Sequence, residues 1–148
     1  MIRPATQTDR AAVENIVHGA YSVYIDRIGK PPGPMLDDYA ALIESGTVWV
    51  LDEANQRITG LIVLLPKSDH LLLDNIAVRP DCQNQGLGRQ LIAFAEAETR
   101  RLGYAELRLY THQMMIENVA LYARLGFVET GRRHEAGYDR VFMTKQLV

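Results

Sequence analysis

The fold of this chain is decided by residues 71–88, which read LLLDNIAVRPDCQNQGLG. The first part of this stretch is mostly apolar and partly β-branched, a composition typical of a strand. After Gly88, apolar side chains recur at the helical period until Gly103. The stretch therefore predicts a strand, a glycine-containing turn and a helix. Such a turn directs free backbone N–H groups and the positive end of the helix dipole at one point, which suits a phosphate group.

Two familiar phosphate-binding loops do not fit the spacing of these glycines. A Walker-type loop requires a Lys-Ser/Thr pair, and none follows them. A dinucleotide-binding loop requires a third glycine at position 91, which is Leu91 in this chain. What remains is Gln-x-x-Gly-x-Gly at the end of a strand. Seen alone, the glycines could also serve the geometry of the turn without any ligand.

Bulk composition predicts one soluble domain over residues 1–148. Hydrophobic residues make up 47% of the chain and charged residues 23%, as in ordinary globular proteins. The net charge of −2 argues against a nucleic-acid partner, which usually requires a basic excess. No apolar run is long enough for a membrane span, and the single cysteine, Cys82, cannot form an internal disulfide. We therefore expect a cytoplasmic protein with no membrane or nucleic-acid partner.

The remaining periodicities predict an α+β domain. The predicted strands are 2–4, 47–51, 58–65, 71–78, 106–110, 127–132 and 140–147, with a turn at 52–55. The predicted helices run from Thr6 to Ile28, over 37–45, from Leu87 to Leu102 and over 116–125. Short connections between 47 and 78 predict an antiparallel meander, whereas the helix after Gly88 is a crossover that makes strand 106–110 parallel to strand 71–78.

A second motif lies on the helix predicted over 116–125. Asn118 and Tyr122 are four residues apart and share one helix face, while Leu121 and Leu125 form the adjacent packing face. Gly126 ends the helix. This face could carry a ligand site, or Tyr122 could simply be half-buried on an amphipathic helix.

The two motifs together resemble the GNAT family of N-acetyltransferases, and the order βααβββαβαββ is also the order of that family. The resemblance implies the GNAT fold, a mixed and mostly antiparallel sheet of about seven strands flanked by about four helices and splayed at its two central parallel strands. It implies acetyl-CoA as co-substrate and transfer of the acetyl group to a primary amine that attacks the thioester directly. It also implies a homodimer, although the residues themselves leave the oligomeric state open.

The resemblance implies roles for individual residues. Tyr122 would protonate the leaving thiolate, since a phenol can stabilise a developing thiolate and pass it a proton. Residues implied to bind the cofactor are Ile76, Ala77, Val78, Gln83, Asn84, Gln85, Gly86, Leu87, Gly88, Arg89, Asn118 and Arg124. The first helices cover the acceptor cleft in this family, which makes Tyr21, Tyr24, Asp26, Pro32 and Met35 candidates for substrate contact.

The general base is not fixed by the sequence. Asp74 and His112 are both candidates, since either a carboxylate or an imidazole can take a proton from an ammonium group. Strand alternation predicts that Asp74 lies on the same face as Ile76 and Val78. The basic run at 132–134 is predicted to be a solvated turn, or else to attract an anion. The four histidines and Cys82 show no metal-ligand spacing, so no metal is expected.

Alternatives remain open at this point. The chain could be a non-catalytic module that binds or senses acyl-CoA, or a transferase with another acyl donor or a hydroxyl acceptor. The amine acceptor could be a small molecule, an antibiotic, an amino acid, or a lysine or N-terminus of a peptide or protein.

Overall fold

The computed structural model describes residues 1–54 and 57–147 as a mixed sheet with helices on both faces. The strands are β1 (Ile2–Pro4), β2 (Val48–Asp52), β3 (Ile58–Pro66), β4 (Leu71–Val78), β5 (Glu106–His112), β6 (Val128–Glu135) and β7 (Tyr138–Gln146). The helices are α1 (Arg10–Tyr21), α2 (Ile25–Ile28), α3 (Tyr39–Glu44), α4 (Leu87–Arg101) and α5 (Ile116–Arg124). The predicted turn at 52–55 includes Asn55, which lies outside the described residues.

The sheet has the order β1-β2-β3-β4-β5-β7-β6, and its only parallel pair within the described residues is β4 with β5. The predicted meander and the predicted crossover are therefore confirmed. Pairing between β4 and β5 is limited to residues 71–73 and 107–109. Beyond these residues the two strands separate, so the predicted splay of a mixed sheet at its two central parallel strands is also confirmed.

Each face of the sheet has its own hydrophobic core. On the α4 face, buried side chains of the sheet pack against α4 and include Leu64, Leu73, Leu91 and Leu107. On the α1 face, they pack against α1 and α3 and include Val13, Val17, Leu61 and Ala77. Because helices cover both faces, the central strands are hydrophobic on both sides, as in buried sheets generally.

A β-bulge interrupts β4 at Asp74. Leu73 is paired with Leu64 and Asn75 is paired with Val63, which leaves Asp74 as an extra residue between the two pairs. An extra residue shifts the alternation of side chains by one position.

The bulge overturns the prediction that Asp74 shares a face with Ile76 and Val78. Leu73, Ile76 and Val78 all contribute to the α4 face, which simple alternation would forbid, and Ala77 lies on the α1 face. Asp74 therefore lies on the α1 face, opposite to the prediction. A pattern of alternating residues cannot reveal a bulge, since the extra residue has no chemical signature of its own.

The first predicted helix is also divided. Helix α1 ends at Tyr21, a 3₁₀ turn follows over Ser22–Tyr24, and the single-turn helix α2 ends at Ile28 and is capped by Gly29, whose φ is +87°. A 3₁₀ turn has three residues per turn, so an apolar stripe with three- and four-residue spacing continues through it without a visible break.

The basic run at 132–134 lies in strand β6, so the prediction of a turn at these residues is wrong. The hairpin turn falls at Ala136 and Gly137, which have φ values of +53° and +82°. Two consecutive positive φ values are the geometry that matches the twist of paired strands in a tight hairpin. No helix within the described residues is both long enough and apolar enough to cross a bilayer.

Candidate active site

The gap between β4 and β5 exposes one edge of β4. Arg79 N donates a hydrogen bond to Thr59 O on β3 at 2.8 Å, so the backbone groups of Arg79 face β3. In an antiparallel ladder these groups alternate in direction, so the N–H and C=O groups of Ile76 and Val78 point away from β3 and into the gap. The gap therefore offers an extended ligand a row of backbone partners, as an added strand would use.

Two clefts meet at this gap. The carboxylate cleft is lined by Asp37, Asp74, Tyr110, His112, Tyr138, Arg140 and the proline-rich segment 32–34, among others. The loop cleft is lined by residues of segment 82–89, by the end of β4 and by α5. Four residues line both clefts: Tyr21, Ile76, Asn118 and Tyr122. A molecule held in one cleft can therefore react with a molecule held in the other beside Tyr122.

Tyr122 is buried at this junction, with its ring edge-on to Phe127 at a centroid distance of 5.8 Å. Burial, with a smaller contribution from the neighbouring Tyr24, raises the pKa of Tyr122 well above its usual value. Within the described residues, no hydrogen-bond partner is found for the Tyr122 hydroxyl. The side chain is thus a neutral phenol whose hydroxyl is available to a ligand in either cleft.

A buried polar network fixes the wall of the junction. The Tyr21 hydroxyl lies 2.7 Å from Asn75 Oδ1 and 2.9 Å from Ile76 O, and its one hydrogen is shared between these two acceptors. Asn75 Nδ2 in turn donates to the Tyr39 hydroxyl at 2.8 Å, and Tyr39 donates to the carbonyl of Pro34. Because buried polar groups are costly when unpaired, this network holds α1, α3 and the proline-rich segment in one position against β4. Asn75 was not among the predicted site residues, and the sequence signal for it is a polar side chain inside an apolar strand.

Acidic side chains give the carboxylate cleft its character. Asp74 Oδ1 accepts a hydrogen bond from the Tyr110 hydroxyl at 3.0 Å. Burial and the charge of Asp74 raise the pKa of Tyr110 to about 12. Loss of solvent, together with the charge of Asp74, raises the pKa of Asp37 to about 6. Asp37 was not among the predicted site residues, because an acidic residue at the start of a helix is most simply interpreted as a cap.

His112 is oriented by its own loop. Met114 N donates to His112 Nδ1 at 3.1 Å, so that nitrogen is already engaged as an acceptor. Burial lowers the pKa of His112, an effect to which Lys30 adds and which Asp139 opposes. In the resulting neutral imidazole the proton is on Nε2. His112 therefore has a donor to offer the cleft and no free lone pair.

The turn at 83–88 forms one end of the loop cleft. Asn84 and Gly86 have φ values of +65° and +80°, and α4 begins directly after Gly86. The first N–H groups of a helix have no intrahelical acceptor, so they are available to an anion at this point. A Cβ added at Gly88 would meet no atom within 4 Å, which leaves open space where the turn borders the cleft.

Most predicted cofactor-binding residues border the loop cleft. They are Ile76, Ala77, Val78, Gln83, Asn84, Gly86, Leu87, Gly88, Arg89, Asn118 and Arg124. Gln85 is not part of this lining. Arg89 and Arg124 are exposed, and neither belongs to an ion pair with another described residue. The contact of these residues with a cofactor stays a prediction.

The predicted acceptor residues are not brought together. Tyr21 and Pro32 line the carboxylate cleft, whereas Tyr24 lines the loop cleft. Met35 borders a separate depression beside His18, and Asp26 lies in none of these linings. The break after α1 separates Tyr21 from Tyr24, since it turns successive residues of one predicted stripe in different directions. Within residues 1–54 and 57–147 no three potential metal ligands cluster.

Comparison with known proteins identifies the family. Residues 44–129, more than half of the chain, match the family model for the acetyltransferase (GNAT) domain. The protein YvbK of Bacillus subtilis, described as an uncharacterized N-acetyltransferase, is 30% identical over 101 residues, which cover 68% of this chain and 63% of YvbK. The ribosomal protein bS18-alanine N-acetyltransferase of Escherichia coli K12 is 44% identical over 75 residues, which cover 51% of each chain. The chain thus spans less than two thirds of the length of these relatives.

Solved structures of two acetyltransferases share this fold over almost the whole chain. The crystal structure of the ribosomal-protein-S18-alanine N-acetyltransferase from E. coli aligns with a TM-score of 0.79 at 25% identity, over 99% of this chain and 93% of that one. A GNAT family acetyltransferase from Elizabethkingia anophelis with acetyl-CoA bound shares the fold, with a TM-score of 0.73 at 22% identity over 99% and 97% of the two chains. The family suggested by the two sequence motifs is confirmed, and this chain belongs to the GNAT family of acetyltransferases.

Proposed function

We propose that this chain is an acetyl-CoA-dependent N-acetyltransferase in which an amine attacks the thioester directly. The observation that carries the proposal is the meeting of two clefts at Tyr122, beside the unpaired edge of β4. When bound, acetyl-CoA supplies the activated acetyl group and a thiolate leaving group.

The loop cleft fits this cofactor along its length. The outward-facing N–H and C=O groups of Val78 can pair with an amide of the pantetheine arm, and the turn at 83–88 offers N–H groups for the pyrophosphate. Arg89 and Arg124 can add positive charge beside the phosphates. The open space at Gly88 allows a close approach of phosphate oxygens to the backbone.

Polarisation of the thioester carbonyl is assigned to the backbone N–H of Ile76. This group points into the gap at the place where both clefts meet. A fixed donor directed at developing negative charge is among the largest single contributions to catalysis of acyl transfer.

Tyr122 assists departure of the thiolate. The sequence-based expectation was proton transfer from the phenol. Burial raises the pKa of Tyr122 still further above that of a thiol, which is near 8.5. Complete transfer is therefore uphill, and we assign to Tyr122 a hydrogen bond that strengthens as charge develops on sulfur. The second proton of the amine nitrogen, which is lost as the amide forms, passes through solvent to the departing thiolate, so that coenzyme A leaves as the thiol.

We assign proton acceptance from the incoming ammonium to Asp74. One of its carboxylate oxygens accepts the Tyr110 hydroxyl, and the other is left to receive the proton. His112 is less suited, because its Nδ1 already accepts the N–H of Met114. The bulge places Asp74 in the carboxylate cleft, where an acceptor would bind.

The test is amine-dependent thiol release from acetyl-CoA, measured together with acetyl-CoA binding by calorimetry. The proposal predicts binding, release with at least one amine, and a loss of turnover in Asp74→Asn that exceeds the loss in His112→Asn. Binding without release from any amine would instead favour a non-catalytic acyl-CoA module. Faster release from a longer acyl-CoA, or with an alcohol, would replace the proposed donor or acceptor. Absence of binding would refute the proposal.

A further inference from the structure

We propose that the acceptor is a small aliphatic amine that carries a second ammonium group, and that it is not the N-terminus of a peptide or protein. This inference rests on the proposed function and names the substrate class of the same site. Two independent features support it: a set of contacts that bridges the carboxylate cleft, and the uncompensated negative charge within the cleft.

The bridging contacts, which we call the clasp, join Lys30 and Pro31 to Gly137 and Tyr138. Lys30 Nζ donates to the carbonyl of Gly137 and lies 4.2 Å from the centroid of the Tyr138 ring. The Tyr138 hydroxyl donates to Pro31 O at 2.6 Å. The clasp therefore connects the segment after α2 directly to the turn of the β6–β7 hairpin.

The same segment is also attached at its other end. Arg27 forms an ion pair with Glu117 at 2.8 Å, and its guanidinium lies 3.3 Å from Met114 O. Segment 27–31 thus contacts both the start of α5 and the β6–β7 hairpin. The clasp borders the cleft where Tyr138 and the proline-rich segment line it.

The clasp discriminates against a polymer. If the N-terminal residue of a peptide binds in the cleft, the rest of the peptide must leave between the elements that flank the cleft. The clasp joins two of these elements, the segment after α2 and the β6–β7 hairpin, and so occupies the space between them. A small amine needs no such exit. One relative is named for acetylating a ribosomal protein, but its acceptor does not by itself identify the acceptor of this chain.

Charge in the cleft selects a cation. Arg140 is the cationic side chain in its lining, but it forms an ion pair with Glu135 at 2.8 Å and stacks on Tyr110 at 4.3 Å. His112 is neutral, as described above. Asp37 and Asp74 are left as negative charges that no described cation pairs with. One ammonium group can give its proton to Asp74 while the second is held at Asp37.

A matched set of acceptors tests the charge requirement. Butane-1,4-diamine, butan-1-amine and 4-aminobutanoate share one reactive amine and differ at the far end, which is positive, apolar or negative. A short peptide beginning with alanine represents the polymer class. We expect kcat/KM for the diamine to exceed that for the monoamine by about tenfold, with the amino acid and the peptide lower still.

Matched variants locate the effect. In Asp37→Asn the ratio of diamine to monoamine kcat/KM should fall about tenfold, to near one. In Asp38→Asn the ratio should not change, because Asp38 is outside the cleft and its cap to Ala41 N is one that asparagine provides equally well. Lys30→Ala, which removes the clasp cation, should raise turnover of the peptide relative to the diamine.

The outcomes separate the two proposals. If the peptide is the best acceptor, or if the three small amines react equally, the inference is refuted while the proposed function stands. A ratio unchanged in Asp37→Asn would also refute it. If acetyl-CoA binds but no acceptor releases thiol, the proposed function fails and the inference fails with it.

Discussion

Replacement of Tyr122 by phenylalanine separates catalysis from folding in this protein. The hydroxyl has no hydrogen-bond partner among the described residues, so its removal leaves no buried group unpaired. We therefore expect the free energy of unfolding to change by less than about 0.5 kcal/mol. Acetyl-CoA affinity should also be nearly unchanged, because the ring and its packing on Phe127 are retained.

The expected loss of turnover follows from the raised pKa. Proton transfer from a buried phenol to a thiolate is uphill, so the hydroxyl contributes a charge-assisted hydrogen bond and not a completed proton transfer. Such bonds contribute about 1.5–3 kcal/mol, which corresponds to a decrease in kcat of about 10- to 150-fold. The assay is steady-state thiol release with saturating acetyl-CoA, alongside calorimetric binding of the cofactor.

Tyr21→Phe is the matched control. Its hydroxyl donates within the buried network, and its loss leaves Asn75 Oδ1 without its donor. This variant should lose about 1–3 kcal/mol of stability, or about 2–4 °C in Tm for each kcal/mol. A turnover for Tyr122→Phe within threefold of the unaltered protein would remove Tyr122 from the mechanism. A large loss of stability in Tyr122→Phe would refute the conclusion that the Tyr122 hydroxyl has no hydrogen-bond partner among the described residues.

Three further predictions concern the loop cleft, the cleft carboxylate and the buried network. Gly88→Ala should weaken acetyl-CoA binding by about tenfold or more, since the new Cβ enters the cleft. Its free energy of unfolding should be unchanged or up to about 1 kcal/mol higher, since alanine favours the helix. The control Gly131→Ala, in β6, should change neither quantity, and tight binding by Gly88→Ala would refute the phosphate-turn assignment. The pKa of Asp37 is raised to about 6 in the folded protein, so its stabilising effect is complete below the unfolded value near 3.8 and is lost as pH rises through about 6. Asp37→Asn should then raise the free energy of unfolding at about pH 7.5 by up to about 1 kcal/mol, after allowance for solvent screening, but should not change it at about pH 3.5; the Tm of both proteins at these two pH values decides this. Asn75→Ala should cost about 1–3 kcal/mol in urea unfolding, because the Tyr21 and Tyr39 hydroxyls lose a buried partner, and a neutral effect would show that the network does not hold the cleft wall.

The order and type of the elements could be predicted from the sequence because local patterns specify them. The run from Leu71 to Val78, the glycines of the turn and the helical spacing after Gly88 all act over short distances. The shared helix face of Asn118 and Tyr122 could be predicted for the same reason, since their spacing is set by one helix, whereas the catalytic role of Tyr122 stays a prediction.

Other parts of the site depend on contacts between distant segments and could not be predicted. Asp37 lines the same cleft as Asp74 because α3 and the proline-rich segment are held against β4 by Asn75 and its tyrosine partners. Arg27 meets Glu117 although 90 residues separate them in the chain. The 3₁₀ turn after Tyr21 redirects the residues that follow, and nothing in the apolar spacing announces it.

The bulge at Asp74 gives β4 two different chemical roles within three residues. Without the extra residue, Asp74 and Ile76 would share a face, and the carboxylate would lie on the α4 side, away from Asp37 and Tyr110. With it, the Asp74 side chain lies in the carboxylate cleft, while the next residues resume alternation with the backbone of Ile76 directed into the gap. One inserted residue thus places the proposed base in the carboxylate cleft on the α1 face of β4, while the proposed carbonyl donor two residues later points along the sheet into the gap between β4 and β5. The insertion disturbs the ladder with β3 and leaves one residue unpaired, a local disruption that bulges near active sites characteristically show. That disruption is tolerated because the buried network around Asn75, the next residue, fixes the strand immediately after it.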